Sequence, residues 1–306
     1  MPRTDVSFKT FDGVTLRGWF FIPSSTPAST KLPCVILSHG LSCIKEMGLG
    51  EVAEKFVSEL PVTCLVYDHR GFGTSDTAPH APRQEVITWL QANDMRDAIT
   101  YVQTRQEVDK SKIALWGYSL SAGEAMYVTA IDRRVKAIIA LGPALDGREI
   151  VKRLAPPHAI NAMQSLFEID RLARAEGKPP ITVPVVASEL GAQPALPSPE
   201  SFAFFSQWEK NGSAWKNELT LRSLDDISTY SLPMSHLMDV TPTPIFYGVA
   251  TRDTNGPPDM VLRQYEKLSE PKELTIVDAD HYELMGPARE ILHPKEVAFL
   301  KKTLCS

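Results

Sequence analysis

The sequence predicts an α/β protein: a mostly parallel, doubly wound sheet with an inserted helical cap. Three observations carry this. Short β-forming apolar runs alternate with helical stretches up to residue 141 and again from residue 237. The runs are apolar on both faces, as strands inside a parallel sheet must be. Between those regions the alternation fails, yet the chain stays rich in proline and aromatic residues, and a structureless connection of that length does not suit a compact domain. Residues 1–141 and 237–306 therefore read as the core, and 142–236 as the cap.

In chain order, residues 6–11 and 14–21 alternate around an Asp12-Gly13 turn and predict a β-hairpin. A Pro/Ser/Thr loop spans 23–30. Strands are expected at 34–37 and 62–67, with a helix at 50–60 between them. A helix at 85–104, a strand at 112–117, a small-residue helix at 120–130 and a strand at 135–141 complete the first half. Parallel neighbours need helical crossovers, which this order supplies. Within the cap, helical periods appear at 159–175 and 199–211. The sheet resumes at 244–249, followed by a helix at 258–268, a strand at 273–277 and a helix at 286–304. The chain shows no internal repeat.

Composition narrows the function classes. A formal net charge of −5, with no basic cluster, argues against nucleic acid or an anionic membrane as partner. No run of 18 apolar residues exists, and the first residues lack the apolar stretch of a signal peptide. Cys34, Cys43, Cys64 and Cys305 show neither a CxxC nor metal-ligand spacing, so a reduced, cytoplasmic protein is expected. Gly71-Phe72-Gly73 lacks the third glycine of a dinucleotide loop, and no Walker loop is present. Neither a cofactor nor a metal is expected.

The chemistry concentrates on Gly117-Tyr118-Ser119-Leu120-Ser121, between a strand and a helix. A nucleophile held in a strained strand-to-helix turn needs small residues two before and two after it. Here the second position is Ser121 rather than glycine. A serine hydroxyl needs a base, and the base a carboxylate to orient it. Among seven histidines, His281 follows the last strand, where its loop returns to the carboxyl edge of the sheet; His293 reads as a surface residue ahead of Pro294. Asp253, directly after the strand at 244–249, is the expected acid, with Asp146 as rival. Asp280, beside the histidine in sequence, is not placed to face its ring. Backbone N–H groups of Leu41 and Leu120 are the expected oxyanion donors. His39 reads as a buried brace for the loop that carries Leu41. Asp68 and Arg70 read as scaffold in the turn that follows the strand at 62–67.

His39-Gly40, Asp68-His69-Arg70-Gly71-Phe72-Gly73-Thr74-Ser75, Gly117–Ser121, Arg252-Asp253 and Asp280-His281 together resemble the α/β-hydrolase superfamily. With Lys45-Glu46-Met47 after the His-Gly loop, the chain is similar to the fungal polyketide transferase and dienelactone-hydrolase-like group. The resemblance implies Ser119, Asp253 and His281 as triad. It also implies an acyl-enzyme formed from an ester or thioester of a secondary metabolite, in polyketide acyl transfer or as a thioesterase. The acyl substrate is expected as a small molecule or on a carrier protein, and a homodimer is compatible. A plain carboxylesterase or lactone hydrolase shares the same intermediate. A hydrolase fold reused for binding, cyclisation or C–C chemistry is the reading from a different class.

Overall fold

The computed structural model describes residues 3–24, 26–27, 29–189, 192–211, 213–231 and 239–305. The predicted hairpin forms as β1 (Arg3–Lys9) and β2 (Thr15–Phe21), antiparallel to each other. The alternation then runs β3 (Leu32–Ser38), α1 (Leu49–Glu59), β4 (Thr63–Tyr67), α2 (Thr88–Thr104), β5 (Val108–Tyr118), α3 (Leu120–Ile131) and β6 (Val135–Leu141). After the intervening segment come β9 (Ile245–Ala250), α8 (Pro258–Lys267), β10 (Lys272–Val277) and α9 (Arg289–Thr303). The eight-stranded sheet has the order β1-β2-β4-β3-β5-β6-β9-β10, parallel from β4 onward.

Because β3 lies between β4 and β5, the winding reverses beside it, and a crevice opens at the carboxyl ends of the strands there. Register aligns those ends: Ser38 pairs with Gly117, Tyr118 with Leu141, Leu141 with Gly248 and Val277 with Ala250. Loops far apart in sequence thus leave the sheet on one edge. Both faces are covered. Leu115, Ile138 and Tyr247 pack toward α2, α3 and α8, while Val35, Trp116 and Phe246 pack toward α1 and α9.

Between β6 and β9 the described residues form α4 (Gly147–Leu154), α5 (Pro157–Ala175), α6 (Pro199–Lys210) and α7 (Leu221–Thr229). Two short strands, β7 (Thr182–Val183) and β8 (Leu219–Thr220), pair apart from the main sheet. The helical periods expected at 159–175 and 199–211 correspond to α5 and α6; α4 and α7 were not expected. His236, the expected end of the cap, lies outside the described residues. No helix among the described residues is long and apolar enough to cross a membrane.

His293 corrects a sequence expectation. It is buried, not superficial: its ring stacks on Phe56, its Nε2 lies 3.0 Å from Glu59 Oε1, and its Nδ1 accepts from Arg289 Nη2 at 3.2 Å. Pro294 deprives α9 of one backbone donor but leaves this inward face unchanged.

Arg70, in the loop after β4, donates from Nε to Asp94 Oδ2 at 2.7 Å and from Nη1 to Asp12 Oδ2 at 2.8 Å, tying α2 and the β1–β2 turn to the sheet. Asp94 is fully buried, so removing its partner strands a carboxylate in the interior. Arg70→Met should lower the unfolding free energy by about 3–5 kcal/mol. Adding Asp94→Leu should recover a substantial part of that loss, as read by urea denaturation; a double mutant no more stable than Arg70→Met would refute this account.

Candidate active site

Ser119 sits alone between β5 and α3, at φ 61° and ψ −123°. An L-residue adopts this conformation only where its surroundings impose it. Here its N–H donates to Leu141 O at 2.9 Å, and its carbonyl accepts from Ala122 N–H at 3.0 Å and Ala144 N–H at 3.1 Å. Strand and helix approach so closely that a Cβ on Gly117 would lie 2.6 Å from Ala122 Cα, which excludes every residue but glycine.

Ser121 fits where glycine is usual because its hydroxyl has work to do. Its Oγ lies 2.9 Å from His69 Nε2 and 3.1 Å from Glu124 Oε2. Burial pushes the Glu124 carboxyl well above the usual carboxylate range and the His69 imidazole well below its own, each toward its uncharged form. One serine proton cannot serve two acceptors. A protonated Glu124 that donates to Ser121 Oγ frees the serine O–H for His69 Nε2.

His281 follows β10 and opens a short 3-10 turn, Tyr282–Met285. Its Nε2 lies 2.9 Å from Ser119 Oγ and its Nδ1 2.7 Å from Asp253 Oδ2. Asp253 Oδ1 accepts from Asn255 N–H at 2.9 Å and Gly256 N–H at 2.6 Å. An ionised carboxylate only accepts, so Nδ1 carries the proton and Nε2 offers its lone pair to the serine O–H. Of the two candidate acids, Asp253 is the one brought to the ring. Asp146 instead caps α4, accepting from Glu149 N–H at 2.9 Å and Ser231 O–H at 3.0 Å. Asp280 accepts from the N–H groups of Tyr282 and Glu283, within its own turn.

Two neighbours of this trio were missed in the sequence. Tyr118 stacks on the imidazole with centroids 4.9 Å apart and donates its O–H to His281 O at 3.0 Å. Gly142 has φ +48°, and a Cβ there would lie 2.9 Å from Asp253 Oδ2 and 3.3 Å from His281 Nδ1. Its place at the end of β6, opposite the elbow in register, was the available signal.

The loop after β3 folds against the serine. A Cβ on Gly40 would stand 2.8 Å from Ser119 Cβ. Cys43 N–H donates to Gly40 O at 3.2 Å, closing a turn in which Ser42 takes φ 61°. His39 Nδ1–H also donates to Gly40 O, at 3.2 Å, so the histidine braces the loop. In a trans peptide C=O and N–H point oppositely, so a pinned Gly40 carbonyl fixes the direction of Leu41 N–H. Lys45 anchors the far side, its Nζ 2.6 Å from Asp68 Oδ2 and its N–H donating to Asp68 Oδ1 at 2.8 Å. Asp68 and Arg70 are thus engaged in holding loops.

Ser119, Leu41, Leu120 and His281 line a cavity of about 200 Å³. Its other walls come chiefly from α4, α5, α7 and the Pro194–Pro197 stretch, through side chains such as Ile150, Met163 and Leu224. Among the described residues none of its lining side chains is Lys, Arg, Asp or Glu. Tyr282 and Asn255 supply polar groups near the histidine, and Tyr282 Oη lies 2.8 Å from Ser201 Oγ on α6.

Burial drives the His39 imidazole down to about 4, although Asp68 nearby opposes the shift. The unfolded chain protonates this residue near pH 6.5, so the stabilising contribution of the neutral ring is complete above that pH and is lost as pH falls toward 4. The loss amounts to about 3 kcal/mol at most. His39→Gln should therefore flatten the decline in urea midpoint between pH 7 and pH 4.5; parallel profiles for the two proteins would contradict it.

A family profile for the alpha/beta hydrolase fold matches residues 33–286. The chain is 32% identical over 307 residues to a thiohydrolase from Eupenicillium brefeldianum, covering 98% of this chain and 94% of that one. It is 31% identical over 306 residues to polyketide transferase grgF from Penicillium sp, covering 99% and 97%. The crystal structure of alpha/beta hydrolase GrgF from Penicillium sp. sh18 superposes with a TM-score of 0.85 at 28% identity, with both chains fully covered. The fold, the strand order and these matches agree, and the chain belongs to the α/β-hydrolase family as an enzyme of that type.

Proposed function

We propose that the protein takes an acyl group from an ester or thioester of a secondary metabolite onto Ser119, and passes it to an alcohol or to water. The observation that carries this reading is the relay Asp253–His281–Ser119, at 2.7 and 2.9 Å, opening into an apolar cavity. The names of the relatives, thiohydrolase and polyketide transferase, support a polyketide acyl chain on a carrier protein or a small thiol. Residues 142–236 act as the cap over that chain. Buried free thiols at Cys34, Cys43 and Cys64 suit a reducing, cytoplasmic setting.

In this mechanism Ser119 Oγ attacks the acyl carbon while its proton passes to His281 Nε2. Asp253 holds the imidazole in the reactive tautomer and stabilises the imidazolium without taking the proton. The negative charge that develops on the acyl oxygen is met by the N–H groups of Leu41 and Leu120, the latter at the start of α3 where the helix dipole adds to it. Collapse expels the thiol or alcohol, protonated by His281. The acceptor then loses its proton to Nε2 as it attacks the acyl-enzyme, and Ser119 is restored.

A fluorophosphonate probe should label the wild type and leave Ser119→Ala unlabelled. Asp253→Asn should keep the fold and lower kcat by about 10³–10⁴-fold. Across p-nitrophenyl esters, kcat/KM should rise roughly fourfold per added methylene until the cavity is full. Gly142→Ala, which pushes on both Asp253 and His281, should reduce kcat about 100-fold. A wild type that neither labels nor cleaves any ester would overturn the reading. Release of the acyl group only when an alcohol is supplied would assign transfer over hydrolysis.

A further inference from the structure

Trp215 lies between α6 and β8, buried in the cap segment, and reaches down to the loop beside the nucleophile. Its indole N–H donates to Ser42 O at 3.0 Å, with Ser42 Oγ 3.4 Å from the same nitrogen. Its ring stacks on Phe205 of α6, centroids 5.1 Å apart, and packs with Cys43, Ile44 and Met47. Ser42 is the residue of the Gly40–Cys43 turn with positive φ, a conformation that a serine does not hold without support.

The turn is clamped at two carbonyls. Gly40 O is held from the core, by His39 Nδ1–H and Cys43 N–H. Ser42 O is held from the cap, by Trp215. Between them lies Leu41, whose N–H must aim at the acyl oxygen. Without the indole donor, Ser42 can relax toward negative φ; Cys43 N–H then leaves Gly40 O, and the Gly40–Leu41 peptide loses a restraint on its direction.

We propose that Trp215 is a positioning residue for the oxyanion turn, so that the cap segment acts on turnover as well as on acyl-chain retention. This rests on the acyl-enzyme reading above. Its mark is a loss in kcat for an acyl group too short to touch the cap walls, since a packing role alone would raise KM for long chains and leave short ones untouched.

Trp215→Phe keeps a ring against Phe205 and removes the N–H. With p-nitrophenyl acetate its kcat should fall about 10–100-fold while KM stays within twofold. Fluorophosphonate labelling should slow in proportion. Replacement of Trp215 by benzothienylalanine, an isostere without the N–H, should reproduce the kcat loss with the thermal midpoint of the wild type, and it decides the matter if Trp215→Phe folds poorly. An isostere variant whose kcat on the acetyl ester stays within twofold of wild type overturns the proposal. A wild type that neither labels nor turns over removes the acyl-enzyme reading and this proposal together, whereas an active wild type with an unaffected isostere removes this proposal alone.

Discussion

Ser119 holds a backbone conformation that costs an L-residue about 1–3 kcal/mol, and the surrounding chain is arranged to offset it. Two hydrogen bonds, to Leu141 of β6 and from Ala144 after it, and a third from Ala122 of α3 keep the serine in place. The same conformation lifts Oγ above the sheet edge, where His281 can reach it. It also forces the crowding that fixes the neighbouring residue types. Gly117 lies against α3, Gly40 against the serine Cβ, and Gly142 against the carboxylate–imidazole pair. In each case a methyl group would meet atoms whose positions the relay depends on.

Burial also governs the polar groups packed behind this elbow. His39, His69 and Glu124 are all buried, and burial moves each toward its uncharged form. The buried charged pairs Lys45–Asp68 and Arg70–Asp94 sit at the turns that hold the loops. Neutral donors hold direction behind the serine, while the carboxylate that can favour an imidazolium is supplied from the other side by Asp253, 2.7 Å from His281 Nδ1.

The sheet and the serine–histidine pair were legible because both follow from local pattern plus topology. Buried strands announce themselves as short apolar runs, and the alternation of strands and helices places their carboxyl ends on one edge. Once Ser119 occupies the turn after β5, chain order points to His281 after the last strand. The choice between Asp253 and Asp146 was not legible, since each follows a strand that ends on that edge; what separates them is which carboxylate is spent capping a helix. His293 misled for a similar reason. Its sequence neighbours include Pro294, but its burial is decided by Phe56 and Glu59 on α1, more than 200 residues away in the chain. Helices α4 and α7 pack chiefly on one another and on α5, and at eight and nine residues each is too short a window for a helical period to be read from the sequence. Trp215 had no local signal at all, because its partner lies 173 residues earlier.

Under the acyl-enzyme reading, the relay determines that an acyl group is taken up, and the cap determines what happens next. On that reading a cavity with no charged side chain among its described walls favours a neutral chain and gives water few partners, which would lengthen the life of the intermediate. On that reading the acceptor approaches His281 Nε2, and Tyr282 and Asn255 line the same cavity. Tyr282 is not free to turn: its hydroxyl is tied to Ser201 on α6 and its ring stacks on Phe204. A shift of α6 would therefore move the residue next to the catalytic base and, through Phe205 and Trp215, the oxyanion turn as well. Helix α6, which lends Phe205 to the cavity lining, is thus tied both to the residue beside the base and to the oxyanion turn, so on this reading an exchange of cap helices made to alter specificity would disturb the rate as well.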